Sequence, residues 1–81
     1  MSRPKDLHWE TMTMRDVLML AIADEEDAID YYRRAADLAA SPHIKNVLLN
    51  LAEMEEGHSA TLQSELDDLD AQAECETSMA D

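Results

Sequence analysis

The chain has 81 residues, which allows one domain at most. Six basic residues against nineteen acidic ones give a net charge of −13, which argues against nucleic acid and anionic membrane as partners, since both reward Lys and Arg. Glycine and proline are scarce, phenylalanine is absent, and the helix formers Ala, Leu, Met and Glu are abundant, so the expected fold class is all-α.

Residues 1–12 read as a polar lead-in. The start, MSRPKDLHWE, has no apolar core of a secretory signal. No run approaches the ~18 apolar residues of a membrane span. A soluble chain is expected, cytoplasmic or held inside a cytoplasmic compartment. Thr13 is a candidate N-cap, with Asp16 three residues on completing a capping box. Helical pattern then runs from about Met14 to Ala40. Ser41-Pro42 is the one clear break: Ser caps a new helix and Pro is tolerated at its first position. The second helix is expected from Pro42 to about Ala71. Residues 73–81 are expected as an acidic, disordered tail. Residues 13–72 therefore predict an antiparallel two-helix hairpin. A hairpin this short buries too little apolar surface to stand alone, so self-association is expected.

At 100° per residue, Leu18, Ala21, Ile22, Ile29 and Tyr32 all fall within about 60° of Glu25. Glu25 thus sits at the centre of the apolar stripe of the first helix, while Asp24 and Glu26 fall about 100° to either side. On the second helix, Leu48, Leu51, Leu62, Leu66 and Leu69 fall within about 40° of Glu55, and His58 lies about 60° to one side. Glu25 lies sixteen residues before Ser41, Glu55 fourteen after it and His58 seventeen after it. Equal rise per residue brings all three to one depth of the hairpin.

Buried carboxylates are expensive unless paired or bound to metal, and two facing each other also repel. Neither stripe carries Lys or Arg. A metal site explains both the histidine and the missing counter-charge. Acid/base catalysis by the carboxylate pair is the alternative chemistry, but neither a nucleophile nor a substrate pocket accompanies it. Ligands of the carboxylate and imidazole type, without thiolate, suit iron or manganese, and zinc less specifically. Di-iron carboxylate bundles use one Glu from each of two helices and a Glu-x-x-His from each of the other two. One chain supplies half of that set, as Glu25 and Glu55-Glu56-Gly57-His58. Two copies supply all of it.

The stretch AIADEEDAIDYYRRAADLAASPHIKNVLLNLAEMEEGHSATLQSEL resembles the rubrerythrin-like branch of the ferritin-like superfamily. The likeness lies in an acidic run ending in an aromatic–tyrosine pair, Asp24 to Tyr32, and the Glu-x-x-His at Glu55 to His58. It covers about residues 14–70. Within that branch the chain is most similar to the half-length encapsulated ferritins. The resemblance implies a hairpin that dimerises into a ferritin-like four-helix bundle with a di-iron ferroxidase centre at the interface, binding two iron ions per dimer and taking Mn or Zn as surrogates. It implies Fe(II) oxidation in the service of iron storage or detoxification. It also implies assembly into a ring such as a decamer, and sequestration inside an encapsulin shell. By position, Tyr32 would stand beside the metal, and Asp24 and Asp27 would form a secondary acidic site at the mouth of the centre. The chain departs from the family in two respects. Its tail, AQAECETSMAD, carries no apolar targeting segment, and the usual short third helix has no counterpart.

Two other functions remain open: a non-catalytic metal-binding helical module, and a rubrerythrin-like peroxidase. The latter is disfavoured because no cysteine-pair module accompanies the helices to deliver electrons. Core packing accounts for Tyr32 about as well as a role beside metal. Tyr31 is expected to be partly exposed. Met12, Met14, Met19 and Met54 read as packing or helix propensity. His8 and His43 read as surface residues, Cys75 as incidental, and Trp9 as a possible cover for a bundle end.

Overall fold

The computed structural model describes residues 7–80, with side chains described for residues 7–72. The first six residues of the expected lead-in and Asp81 lie outside the described residues. Three elements follow in order: a 3-10 turn at Trp9–Thr11, helix α1 at Met14–Leu38 and helix α2 at Pro42–Ala80. No strand and no third α-helix occur among the described residues.

Helix α1 begins at its capping box. The Thr13 hydroxyl accepts from the Asp16 backbone N–H at 3.1 Å, and the Asp16 carboxylate accepts from the Thr13 backbone N–H at 3.0 Å. Two amide donors at the helix start, which lack partners within the helix, are thereby satisfied. The bond from the Thr13 backbone, and then that with its hydroxyl, hold the Asp16 carboxyl below its usual range. A carboxyl depressed in the folded state adds stability above its unfolded pKa, and loses it as pH falls through the folded pKa. Thr13→Ala is expected to destabilise the chain by about 1 kcal/mol at neutral pH, and by less at acid pH where Asp16 is protonated. Urea melts at the two pH values check both parts.

Helix α1 ends at Leu38, two residues short of the expected end. Ala39 is extended, and Ala39, Ala40 and Ser41 make the connection. The residue before a proline avoids helical backbone, so the chain must leave α1 before Ser41 to reverse. The Ser41 hydroxyl accepts from the Ile44 N–H at 3.3 Å, and its carbonyl accepts from the Lys45 N–H at 2.9 Å. Helix α2 then runs 39 residues, nine past its expected end at Ala71. Residues 73–80, expected as a disordered tail, continue the helix in their backbone. No glycine or proline stops it there, and Ala, Gln and Glu favour it. The one glycine, Gly57, lies inside α2, and a Cβ there would meet nothing within 4 Å. Gly57→Ala is therefore expected to stabilise the metal-free chain by about 0.5–1 kcal/mol, read as a higher urea midpoint.

The helices pack side by side, antiparallel. Only Ala36, Ala52 and Leu66 are buried among the described side chains. The small alanines let the helices approach closely near the turn. Leu18, Ile22 and Ile29 on α1, and Leu48, Leu51, Leu62 and Leu69 on α2, are half-covered. The molecule measures 61 × 27 × 12 Å, so its thinnest dimension is about one helix diameter. Its radius of gyration is 17.1 Å, against about 12 Å for a compact domain of this length. A stable domain packs two layers around a core, and this hairpin is one layer. Arg15–Asp70, at 3.0 Å, and Arg33–Glu56 tie the helices toward either end. Exposed pairs of this kind contribute about 0–1 kcal/mol each, and both are made in this one register. No helix among the described residues is long and apolar enough to cross a membrane.

Candidate metal centre

In this register, Glu25 on α1 comes level with Glu55 and His58 on α2. One ligand atom from each of the three lies within 4.8 Å of the other two, the one such cluster among the described residues. The His58 Nδ1 is 3.6 Å from the Glu25 Oε2 and 3.7 Å from the Glu55 Oε2. These separations exceed a hydrogen bond.

The two carboxylates are largely covered, with side chains 18% and 22% exposed, whereas His58 is 59% exposed. The difference follows from the helix faces. Glu25 and Glu55 point between the helices, while His58 is turned about 60° away on α2, toward the face that no second layer covers. Glu25 Oε2 is buried and has no hydrogen-bond partner. An unsatisfied carboxylate oxygen in an apolar setting is unfavourable by a few kcal/mol or more. The nearby cations do not relieve it: Arg15 pairs with Asp70, Arg33 with Glu56 and Arg34 with Asp30.

A divalent cation would satisfy that oxygen. Ligand bonds of about 2.0–2.2 Å set neighbouring ligand atoms roughly 3–3.5 Å apart, close to the spacings from His58 to both carboxylates. The donor set is two oxygens and one nitrogen with no thiolate, the set expected for iron, manganese or zinc. The residues present therefore fit a metal.

The other expected residues fall outside this cluster. Asp24 is half-covered and Asp27 exposed. Tyr32 is half-covered on the Glu25 face, and its ring meets that of Tyr31 edge to face. Tyr31 is 55% exposed, and His8 and His43 are exposed. Met12 is half-covered, whereas Met14, Met19 and Met54 are exposed. The side chain of Cys75 lies outside the described residues. Trp9 lines a shallow apolar hollow on α1 with Leu7, Met12, Val17, Leu20 and Ala21. Two features were not anticipated from sequence. One is the 3-10 turn that carries Trp9. The other is the pair of interhelical ion pairs, for which a signal existed: Arg15 and Arg33 fall about 80° from Glu25, on the flank shared with Ile22.

A hairpin with a glutamate on one helix opposite a Glu-x-x-His on the next is an all-α, ferritin-like half-domain. The family model for rubrerythrin matches residues 16–80, which is 65 of the 81 residues, and the chain belongs to the rubrerythrin family. Comparison with curated proteins and with solved structures gave no match. Membership of this family implies iron binding, and the carboxylate–histidine cluster is a group that could hold a metal ion.

Proposed function

We propose that two copies of this hairpin close face to face around their clusters and oxidise Fe(II) at the di-iron centre so formed, in the service of iron storage or detoxification. One observation carries the reading: Glu25, Glu55 and His58 converge within 4.8 Å as a group that could hold a metal ion, on a single-layer molecule with an uncovered apolar face. Two-fold pairing gives two Glu25, two Glu55 and two His58, the full complement for such a centre. The same pairing buries the half-covered leucines and isoleucines.

Iron bound there supplies electrons, one from each Fe(II), to dioxygen or peroxide. The chain's own groups have separate tasks. Glu25 and Glu55 supply negative charge in an apolar setting, where it attracts a divalent cation more strongly than at the surface. His58 in its neutral form supplies a nitrogen donor without adding charge. Tyr32 lies on the same face, over the turns that follow Glu25.

Native mass spectrometry during anaerobic Fe(II) titration tests the ligand set. One metal per chain and two per dimer are expected, with loss of that stoichiometry in Glu25→Ala, Glu55→Ala and His58→Ala. An unchanged stoichiometry in all three variants would overturn the assignment. Binding at full stoichiometry with no faster iron oxidation than in buffer would leave a metal-binding module in place of an enzyme.

A further inference from the structure

The chain has two tyrosines, adjacent in α1. Neighbouring residues of a helix point about 100° apart and do not normally face each other. Yet the rings of Tyr31 and Tyr32 meet edge to face, with centroids 5.6 Å apart and planes at 74°. Their surroundings differ. Tyr32 is half-covered and shares the stripe of Glu25, two turns along. Long side chains on a helix lean back toward its N-terminus, so Tyr32 leans over the turn of Ala28 and Ile29, on the Glu25 side of its own Cα. Tyr31 is 55% exposed. The pair therefore joins the face that carries the metal ligands to solvent. The one tryptophan, Trp9, packs near Leu20, about 16 Å along α1 from Tyr31, and does not share the pair.

We infer that Tyr32 and Tyr31 form a two-step route carrying single electrons from a reductant in solution to an oxidant held at the Glu25–Glu55–His58 cluster. This rests on the iron-oxidising reading above and deepens it, because it names where electrons enter once the bound Fe(II) is spent. Hydrogen peroxide takes two electrons and two protons to become two waters. Two Tyr32 phenols, one from each copy at the site, supply them. Each loses one electron and one proton and becomes a neutral phenoxyl radical. Each Tyr32 phenoxyl then takes one electron and one proton from its Tyr31, which restores Tyr32 and moves the radical to the exposed ring. There a one-electron reductant of the ascorbate class gives an electron and a proton and restores Tyr31. The edge-to-face contact makes the second step a transfer between touching rings.

Two measurements test the route. In the first, protein whose bound Fe(II) has already been oxidised in air is mixed with peroxide and frozen rapidly. Electron paramagnetic resonance reads phenoxyl, parallel samples read ferric absorption, and a nitroso spin trap followed by peptide mass spectrometry locates the radical. Wild type should give a phenoxyl signal and a trap adduct on Tyr31. Tyr32→Phe should lose both. Tyr31→Phe should keep a phenoxyl on Tyr32, lose the adduct, and be reduced by ascorbate several-fold more slowly. Iron oxidation in wild type with no phenoxyl, or a Tyr31 adduct that persists in Tyr32→Phe, would overturn the route. Absence of iron oxidation in wild type would instead overturn the iron-oxidising reading. The second measurement needs no iron. Metal-free protein is oxidised by photogenerated ruthenium(III) tris-bipyridine, and phenoxyl formation should slow several-fold in Tyr31→Phe. Equal rates there would show that Tyr32 exchanges electrons with solvent without Tyr31, and would overturn the route whatever the iron does.

Discussion

His58→Ala is expected to lose most of the chain's acceleration of Fe(II) oxidation over buffer. His58 is the one nitrogen donor in the cluster, 3.6 and 3.7 Å from the two carboxylates. In a two-fold pair, one substitution removes two ligands. Losing even a supporting partner of a metal ligand reduces affinity or activity by about 10–100-fold, and loss of the ligand itself should do at least that. His58 is 59% exposed, so its truncation opens no cavity in the hairpin and leaves the fold intact. His43→Ala is the matching control, since it alters an exposed histidine in the first turn of α2. Stopped-flow absorbance under air, at saturating Fe(II), gives the rates. Equal rates in wild type and His58→Ala would remove His58 from the reaction.

Assembly and metal are expected to be coupled. Two chains of −13 bring −26 together, and the face that closes carries four glutamates. Repulsion on that scale opposes pairing and is weakened by salt. Two divalent ions would neutralise the four carboxylates. Metal that binds the paired form better than the free one stabilises it by mass action, by about 2.7 kcal/mol at a hundredfold excess over the dissociation constant. Chelator-treated protein should therefore elute as a monomer or loose dimer, and Fe(II) or a divalent ion of similar size should shift it to larger species. High salt should partly mimic the metal. Glu25→Gln with Glu55→Gln should assemble without metal, because the neutral amides no longer repel, yet should not oxidise iron. Light scattering behind size exclusion reads the mass. Identical mass and melting temperature with and without metal would show that apolar packing alone closes the interface.

Much of the fold was legible because few local signals competed. The Thr13–Asp16 capping box and the Ser41-Pro42 break stand in the sequence as residue types whose hydrogen-bonding and backbone rules are strict. Helix ends were less legible. Ala39 and Ala40 favour helix locally, yet the reversal ahead of Pro42 overrides them. Acidic composition suggested a frayed end near Ala71, but composition does not stop a helix where Ala, Gln and Glu continue it. The convergence of Glu25, Glu55 and His58 followed from periodicity and equal rise. What periodicity could not give was the tilt of each side chain. His58 stands out from the hairpin while the carboxylates turn inward, and Tyr31 leans onto Tyr32 although the two residues diverge on a helical wheel. The pairs of Arg15 with Asp70 and Arg33 with Glu56 went unanticipated because ion pairing across helices depends on register and rotamer together.

The thinness of the molecule has a consequence for how such a protein would be controlled. On the reading proposed above, a hairpin 12 Å thick holds half of a centre, and whole centres would exist only where two chains have met. At low occupancy the number of pairs rises with the square of free chain concentration, and dilution switches the centre off without any change in the chain. Copy number in the cell then acts as an input, and a confined space that concentrates the chain would act like an effector. A co-expressed variant that pairs but lacks ligands would poison more than its share, because every mixed pair it enters loses a working centre.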